Sequence, residues 1–521
     1  MFLITFTPSK FIVNMKKTFI LSLSLLILIT GLSQAKKTVG PQQTTTKSAP
    51  KKAAAQQPTI SDGGHDISIT LTPAKNQKVY LGCYYGKGKA IMDSCQLDAQ
   101  CKGHFKGAKK LIGGIYFVVS QAYSIQFEVL VGDQQNFNIV GDTTQKDKFE
   151  ITGSADNDLF KVYSKKTSEI GTVINNLSGT LKDAKTAEDS SKIRKEMKAK
   201  NDDLTKVRDD IINNSPNTLM SALLAAMRRP EAPEIPVDPI TKKADSSYPY
   251  HFVKDHYWDD VVFADERLLR TPFFEPKIDE YLKYYVSPEA DSIIPEIKFM
   301  LLSARDSKEM YAYLLTKFTN KYLNPEFMGQ DKVFVHLFTD YYLHGDTTLL
   351  DSKSKKTIID RGYSMMLNQL GSVAPPLDLT DTTGKVISLY SIKAKFTIFA
   401  YWDPTCGHCR QEIPVLDSIY RAKWKDLGIK VYSTISKDDL LPELKKFIQE
   451  KNLPKDWFYT YETKAAKEAT EKAGVPNFRQ GYDLNKTPIF YLLDADKRIT
   501  GKNLTIHQID DLISKKIKMT K

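Results

Sequence analysis

The spacing of apolar residues changes along the chain, and each change predicts a different kind of structure. Between Asp66 and about Gly153, apolar and polar residues alternate in short runs separated by Gly, Asp and Asn. These runs lie at residues 67–71, 79–85, 114–120, 123–131 and 137–140. Because period-two alternation is typical of strands with one buried face, a small antiparallel β domain is predicted over residues 61–155.

The following stretch, residues 156–370, has helical spacing instead. Apolar residues recur every three or four positions over residues 158–227, between Lys, Glu and Asp. This pattern predicts two long amphipathic helices in a hairpin, followed by a further helix at residues 219–227. Residues 250–370 are rich in Tyr, Phe and Leu and continue the helical pattern. A mostly α central region is therefore predicted, and its charged faces are interpreted as solvated surface.

Strand and helix patterns alternate over residues 371–521. A β-hairpin is predicted around the Gly384 turn. Further strands are predicted at residues 396–402, 429–435 and 489–493, and helices at residues 440–451, 463–473 and 506–518. Such alternation is typical of an α/β sandwich, so the chain as a whole is predicted to be multidomain.

The first 60 residues have the pattern of an export signal followed by a linker. Two lysines, an apolar run over residues 18–32 and a small-residue site ending at Ala35 are the three regions of a secretory signal peptide. Met15 is therefore expected to be the true start, with cleavage after Ala35, and residues 36–60 are expected to be a flexible linker. The alternative is an uncleaved membrane anchor, although the run is shorter than the roughly 20 apolar residues of a membrane span. The mature protein is expected to be exported and periplasmic.

The formal net charge of +12 comes mostly from this N-terminal segment. Residues 1–60 contain eight lysines and no acidic residue, so the rest of the chain is nearly balanced in charge. Nucleic-acid binding requires basic residues clustered on a folded face. The composition therefore excludes nucleic acid as a partner.

The five cysteines are too few for a disulfide scaffold, and their odd number leaves at least one unpaired within the chain. Cys83 shares the parity of the apolar residues in its predicted strand, so it is interpreted as a small buried hydrophobe. Cys95 and Cys101 flank a polar turn and can pair in an oxidising compartment, and this pairing is left open. Chemistry is expected at the other two, Cys406 and Cys409.

Cys406-Gly407-His408-Cys409 follows the apolar strand pattern of residues 396–402 and precedes a predicted helix. The free N–H groups and partial positive charge of a helix N-terminus stabilise a thiolate, which is the reactive form of cysteine. Cys406 is therefore expected to be the attacking sulfur, and Cys409, one turn further on, is expected to resolve the mixed disulfide. The pair is predicted to be a redox-active disulfide, and no other cofactor is expected.

Metal binding is a weaker interpretation of the same residues. A structural zinc site normally has four Cys or His ligands, and no second pair stands near Cys406 and Cys409 in the sequence. His251 and His256 are five residues apart, which puts them off a common helical face. No metal site is therefore predicted.

The C-terminal elements resemble the TlpA/ResA-like branch of the thioredoxin superfamily, which is related to the AhpC/TSA redoxins. The resemblance covers residues 371–521 and rests on Val373-Ala374-Pro375-Pro376, the strand ending at Trp402, the C-G-H-C motif, Glu412, Pro414 and Thr487-Pro488. It implies a thioredoxin-like fold and thiol-disulfide oxidoreductase activity. The upstream β and helical regions resemble uncharacterised domains that precede such modules, and they imply no chemistry.

The resemblance also implies roles for residues around the pair. Glu412 matches a glutamate held beside the two cysteines, and it is expected to accept the proton of Cys409. The alternative is a surface carboxylate that the helix dipole favours. The Thr487-Pro488 bond is expected to be cis and to face the substrate. Ala400 stands where thioredoxins carry a buried aspartate, which leaves Glu412 as the visible proton carrier.

Four neighbours are expected to modulate the pair: Trp402, Pro404, Gly407 and His408. A partly positive imidazole at His408 stabilises the thiolate and therefore raises the reduction potential. Many TlpA/ResA-like proteins nevertheless act as reductases, so the direction of electron transfer is left open.

The predicted function is disulfide exchange with extracytoplasmic protein substrates, with protein thiols or disulfides and an electron-transfer protein as partners. One alternative is a peroxiredoxin-like thiol peroxidase with an antioxidant role, but residues 402–406 do not match the Pro-x-x-x-Thr-x-x-Cys loop of such enzymes. The other is a binding or scaffold protein whose redox module serves one dedicated partner. Stable membrane insertion is not expected after signal cleavage.

Overall fold

The structure is a computed structural model that describes residues 63–145, 149–237, 244–346 and 350–519. The predicted signal peptide and linker, with Met15 and Ala35, lie outside the described residues. The chain divides into two compact units, one ending at Tyr281 and the other beginning at Leu282. This division falls inside the predicted helical region, so helices belong to both units, and the predicted domain boundaries stay predictions. No helix in the described ranges has both the length and the apolar content needed to cross a membrane.

Two β-sheets occupy the N-terminal part of the first unit. Its described strands are β1 (His65–Thr72), β2 (Lys78–Tyr85), β3 (Gly88–Gln96), β4 (Lys102–Gly107), β5 (Gly114–Val119), β6 (Ile125–Val131), β7 (Asn136–Asp142) and β8 (Phe149–Thr152). They form one sheet of order β4-β1-β7-β8 and a second of order β3-β2-β5-β6. Ile69 of β1 and Leu81 of β2 share one buried core, so the two sheets pack face to face. The predicted β-rich region is confirmed.

The detail of these sheets goes beyond the sequence prediction. Strand β1 pairs with β7 in parallel, whereas the other ladders described in the two sheets are antiparallel. The alternating pattern did not indicate β3, β4 and β8, and all three stand at sheet edges. An edge strand buries fewer side chains, and in β3 the sole buried residue is Cys95. Alternation is therefore weakest at the sheet edges.

Helices follow in the same unit. They are α1 (Ala155–Asp183), α2 (Ala187–Asn214), α3 (Leu219–Met227) and α4 (Tyr248–His256). The side chains of Ser154, Thr186 and Thr218 each accept a hydrogen bond from a first-turn N–H and so define where α1, α2 and α3 begin. Helices α1 and α2 pack against each other, which confirms the predicted helical hairpin.

The next helices lead from the first unit into the second. They are α5 (Phe274–Tyr284), α6 (Ala290–Ser303), α7 (Lys308–Leu323), α8 (Asp331–Leu337) and α9 (Ser352–Leu367). Their inward faces carry fully buried side chains such as Met300, Phe318 and Phe334. These helices confirm the predicted mostly α character of the central region.

The C-terminal part of the second unit is an α/β fold. Its strands are β9 (Asp378–Asp381), β10 (Val386–Ser388), β11 (Phe396–Trp402), β12 (Lys430–Ile435), β13 (Phe458–Tyr461), β14 (Ile489–Asp494) and β15 (Ile499–Lys502). Its helices are α10 (Gly407–Ile419), α11 (Leu441–Glu450), α12 (Lys464–Ala473), α13 (Phe478–Gly481) and α14 (Ile506–Met519). Residues 371–519 are described throughout, and their seven strands form one sheet of order β10-β9-β13-β12-β11-β14-β15.

Strand β11 lies inside this sheet, between parallel β12 and antiparallel β14. Every one of its seven residues is buried, because apolar side chains pack on both sheet faces. Ile398 and Trp402 join the core shared with α10, and Phe399 and Tyr401 join a second core on the other face. The α/β prediction is confirmed, although the short strands β13 and β15 were not predicted.

Candidate active site

The active-site candidate forms where β11 ends and α10 begins. The Cys406 N–H donates to the Asp403 carbonyl over 3.2 Å, and the Arg410 N–H donates to the Cys406 carbonyl over 3.0 Å. Cys406 is the N-cap of α10, which starts at Gly407 and continues through Pro414. The chain therefore leaves a buried strand and presents Cys406 at the end of the sheet, on a helix N-terminus.

The two cysteines of the motif occupy opposite environments. Cys406 is partly exposed, whereas Cys409 has no accessible surface. The backbone N–H of Cys409 hydrogen-bonds the Cys406 sulfur and lowers the pKa of Cys406 below its ordinary value of 9.0. Burial raises the pKa of Cys409 to about 11. One sulfur is thus accessible and thiolate-prone, and the other is shielded and keeps its proton.

Asp403 organises the loop between strand and helix, a role the sequence did not indicate. Its Oδ1 accepts from the Thr405 N–H over 2.8 Å and from the Thr405 hydroxyl over 2.6 Å. Its Oδ2 accepts from the Ser436 hydroxyl over 3.0 Å, and its own N–H donates to Cys409 Sγ over 3.4 Å. Burial alone would raise the pKa of Asp403, but hydrogen bonds from Thr405, Ser436 and Cys406 lower it. An ionised Asp403 therefore fixes the loop that precedes Cys406.

A second loop approaches the cysteines from the start of β14. The Thr487-Pro488 peptide bond is cis, as the resemblance implies. The register pairs Tyr401 of β11 with Ile489 of β14, so Pro488 stands next to the end of β11. The Thr487 side chain adds a smaller lowering contribution to the pKa of each cysteine. The structure thus brings this predicted substrate-facing pair to the C-G-H-C motif.

Glu412 and His408 lie on α10 one turn apart. His408 Nε2 and Glu412 Oε1 are 4.0 Å apart, with the His408 side chain 67% exposed and that of Glu412 29% exposed. Cys409 precedes Glu412 by three residues on the same helix, the spacing at which helical side chains are neighbours. Glu412 is therefore partly open to solvent and about one helical turn after Cys409, and its role as proton acceptor stays a prediction.

The other residues named in the sequence analysis lie in β11 or in the loop that follows it. The Trp402 indole is fully buried and donates to the Ser433 hydroxyl over 2.8 Å. The Pro404 carbonyl accepts from Arg410 Nη1 over 3.1 Å. Ala400 is also fully buried, inside the core that α10 shares with the sheet.

A buried polar network extends from this loop, and sequence reasoning did not find it. Arg479 Nη2 donates to the Ser436 carbonyl over 2.8 Å, and Arg479 pairs with the carboxylate of Glu462, which is 8% exposed. Ser436 in turn donates to Asp403. Glu462 follows β13 and Ser436 follows β12, so the carboxyl ends of adjacent parallel strands meet here. Strand β13 was not predicted from the sequence, so neither was the position of Glu462 at its end.

The other three cysteines lie far along the chain from the motif. Cys83, Cys95 and Cys101 are buried and carry no disulfide in the structure. The pairing of Cys95 with Cys101, left open above, is therefore not formed in the structure. Among the described residues, no group of three or more His, Cys, Asp or Glu side chains is arranged to hold a metal ion. The exposed His256 instead pairs with Asp259, at 2.7 Å.

Two family models match the chain. Residues 184–367 match a domain of unknown function, DUF5106, and residues 370–501 match the AhpC/TSA family. The second match contains the cysteine pair, the Asp403 loop and Thr487-Pro488. Residues 370–501 form an AhpC/TSA-family domain. The helices from α2 to α9 and the segments between them correspond to the DUF5106 match.

Curated relatives of the AhpC/TSA domain carry the name thiol-disulfide oxidoreductase ResA. The protein from Bacillus cereus is 26% identical over 137 residues, which is 26% of this chain and 69% of the relative. Those from Bacillus thuringiensis and Bacillus anthracis are each 29% identical over 85 residues, or 16% of this chain and 48% of theirs. The chain thus spans about half the length of the latter two. These matches confirm the predicted likeness of the C-terminal domain to thioredoxin-like thiol-disulfide oxidoreductases, the enzyme class predicted from the sequence.

Solved structures with similar folds include a thioredoxin-like protein from Bacteroides caccae. It aligns over 55% of this chain and 97% of its own, with 23% identity and a TM-score of 0.42. A domain of a possible thiol-disulfide isomerase from Cytophaga hutchinsonii aligns over 29% of this chain and 95% of its own, with 34% identity and a TM-score of 0.25.

Proposed function

We propose that this protein is an exported thiol-disulfide oxidoreductase that exchanges disulfides with extracytoplasmic protein substrates through Cys406 and Cys409. The observation that carries this proposal is the contrast between the two sulfurs. Cys406 is accessible with a lowered pKa, and Cys409 is buried with a pKa raised to about 11. An attacking thiolate that a substrate can reach, beside a protonated thiol that it cannot reach, is what ordered two-step exchange requires.

The exchange with an oxidised substrate has two balanced steps. The Cys406 thiolate attacks one sulfur of the substrate disulfide, forms a mixed disulfide and releases the other substrate sulfur as a thiolate. Cys409 then loses its proton and attacks Cys406 Sγ, which forms the Cys406–Cys409 disulfide and releases the second substrate thiolate. Two electrons pass to the substrate, and the reverse sequence oxidises a substrate dithiol.

The second step needs a base because Cys409 keeps its proton at neutral pH. We propose Glu412 for this role, since it lies three residues after Cys409 on α10 and is partly open to solvent. Thr487 adds a lowering contribution to the pKa of Cys409, which favours the same deprotonation. The backbone of Thr487 is proposed to pair with an extended substrate segment.

The proposal also includes the partners and the location. The substrates are protein thiols or disulfides, and a further electron-transfer protein resets the pair; the cysteines serve as the redox group without another cofactor. Export rests on the signal pattern of residues 1–35, which lie outside the described residues. An oxidising compartment is also where substrate disulfides persist.

The test is insulin reduction with dithiothreitol as electron donor, measured on the mature chain. Wild type is expected to accelerate reduction, Cys406→Ala to lose the acceleration, and Cys83→Ala, which changes a buried core cysteine, to retain it. Cys409→Ala is expected to accumulate mixed disulfides through Cys406, because resolution is blocked. Equal activity of wild type and Cys406→Ala would refute disulfide exchange at this site.

The same preparations separate the two alternatives. Consumption of hydrogen peroxide faster than reduction of insulin would favour a thiol peroxidase, the reaction class that the AhpC/TSA family name suggests. Capture of a single protein by Cys409→Ala, with no activity on insulin, would favour a redox module dedicated to one partner. The reduction potential of the Cys406–Cys409 pair then shows whether the protein donates or accepts electrons.

A further inference from the structure

The helices that precede the AhpC/TSA domain are joined to it by a buried lysine. Lys502, in the edge strand β15, is 5% exposed in its side chain, and Asp331 at the start of α8 is 7% exposed. Lys502 Nζ donates to Asp331 Oδ2 over 2.5 Å and to the Asn368 carbonyl and Oδ1, each over 2.8 Å. All three ammonium donors are thereby satisfied. The ends of α8 and α9 are fixed against the sheet by this contact.

A second ion pair connects α9 to the loop that contains Thr487. Arg361 of α9 and Asp483 are both largely buried, with side chains 18% and 10% exposed, and Arg361 Nε lies 2.7 Å from Asp483 Oδ1. Arg361 Nη2 also donates to the Leu323 carbonyl at the end of α7, over 2.9 Å. Arg361 of α9 therefore contacts both the end of α7 and Asp483.

Asp483 lies in the loop between the buried residues Tyr482 and Leu484. Its N–H donates to the Gln480 carbonyl over 3.1 Å, and its carbonyl accepts from the Asn485 N–H over 3.0 Å. Its φ is +50°, a left-handed conformation that Asp and Asn adopt more often than other residues with a side chain. Leu484 is buried, the two residues after it, Asn485 and Lys486, are exposed, and Thr487 follows directly. The Asn485 amide makes a long contact of 3.5 Å back to Asp483 Oδ2. The ion pair with Arg361 is thus a fixed point four residues before Thr487.

We propose that Arg361 is a positioning residue for disulfide exchange: its ion pair with Asp483 sets the loop that places Thr487 against the sulfurs of Cys406 and Cys409. Arg361 lies within the DUF5106 match, so the end of that domain supports the neighbouring redox site. This inference rests on the proposed function for its effect on turnover, whereas its effect on Cys406 alkylation does not depend on that function.

The test removes the Arg361–Asp483 ion pair without leaving one of its charges buried and unpaired. Arg361→Met alone leaves the Asp483 carboxylate buried without its partner. Burial raises the pKa of this carboxylate, and Arg361 lowers it. The double variant Arg361→Met with Asp483→Asn removes both charges, so its unfolding is expected to stay cooperative. Its insulin reduction is expected to slow roughly tenfold, because small displacements of a positioned group are costly in rate. The pH midpoint of Cys406 alkylation is expected to rise, because Thr487 contributes to the lowered pKa of Cys406 and is displaced in the double variant.

The control is Arg498→Met, which removes an exposed arginine that donates to the Gly371 carbonyl in the same unit. It is expected to keep the wild-type rate and alkylation midpoint. A double variant with cooperative unfolding and wild-type values for both would overturn the proposal. Should the double variant fail to fold, the nearly isosteric Asp483→Asn is judged by the same two measurements. The alkylation midpoint needs no substrate, so it still tests Arg361 if the wild type proves inactive on insulin.

Discussion

Cys95 and Cys406 have the same side chain in two regions of the molecule, and their surroundings give them opposite properties. Cys95 lies in strand β3 of the first unit, where burial, followed by the charge of Asp93, raises its pKa to about 12. Cys406 stands at the N-terminus of α10, where the N–H of Cys409 lowers its pKa. The reactivity expected of each sulfur therefore follows from its burial and from the N–H groups around it.

Cys409 sharpens this contrast because it shares a helix turn with Cys406. It is as buried as the strand cysteines, and its pKa is raised to about 11. Distance along the chain is thus not what separates reactive from unreactive sulfurs. Exposure and the direction of the nearest N–H groups separate them.

The largest expected effect is in thiol alkylation of the reduced, folded protein at neutral pH. Iodoacetamide is expected to modify Cys406 at least about a hundredfold faster than Cys95, because the thiolate is the reacting form. Peptide mass spectrometry after timed quenching measures both rates. In guanidinium chloride the two rates should converge, and a folded-state Cys95 rate equal to that of Cys406 would remove the distinction.

A second effect concerns stability at high pH. In the unfolded chain Cys409 titrates near its ordinary pKa of 9.0, whereas the folded protein keeps this proton up to about pH 11. The folded state then binds more protons in this window, so the contribution of Cys409 is complete below pH 9 and is lost as the pH rises to about 11. The loss expected for the reduced protein is about 2–3 kcal/mol.

Urea unfolding of the reduced protein across that pH window measures this loss. Cys409→Ala is expected to show a shallower decline than wild type, with the difference confined to the window. A decline of equal slope in both proteins would show that Cys409 titrates alike in the folded and unfolded states.

A smaller effect is expected for the residue between the cysteines. His408→Ala removes the exposed imidazole, which is expected to stabilise the Cys406 thiolate, and keeps the backbone N–H that also lowers the pKa of Cys406. The reduction potential should therefore fall by about 30 mV, equivalent to about 1.4 kcal/mol. Equilibration with glutathione buffers measures the potential. His507→Ala, which changes an exposed histidine of α14, should leave it unchanged. A potential that stays constant or rises in His408→Ala would show that the His408 imidazole does not raise the reduction potential of the pair.

The smallest effect is expected for the proposed base. Glu412→Gln should slow insulin reduction near neutral pH by about threefold, with the difference disappearing as alkaline pH deprotonates Cys409 directly. Glu443→Gln, an exposed change in the first turn of α11, is the matched control. A uniform reduction at every pH, or none, would make Glu412 an ordinary surface carboxylate.

Local patterns predicted most of the elements that bear the site. The apolar run of β11 was predicted with the bounds that the structure has, and the helix after it begins where the Cys406 motif indicated. The strands that were missed are edge strands, such as β3 and β15, or very short, such as β13. Such strands bury few side chains or span few residues, so alternation in the sequence is too weak to indicate them.

The polar contacts around the site were beyond sequence reasoning for a different reason. Asp403 and Ser436 are 33 residues apart, and Arg361 and Asp483 are still further apart along the chain. Nothing in the spacing of apolar residues encodes which carboxylate meets which donor. These pairs depend on the order of strands in the sheet and on the packing of α9, both of which are tertiary features.

The sequence by itself determined the fold class, the order of β, helical and α/β regions, and the candidate pair Cys406 and Cys409. Each of these follows from local periodicity or from short motifs, whose physical basis lies within a few residues. Only the tertiary structure decided which sulfur is exposed, that Asp403 shapes the loop, and that Thr487 reaches both sulfurs. Burial and hydrogen-bond partners arise when distant segments pack together, and they set the pKa values on which the proposed chemistry depends.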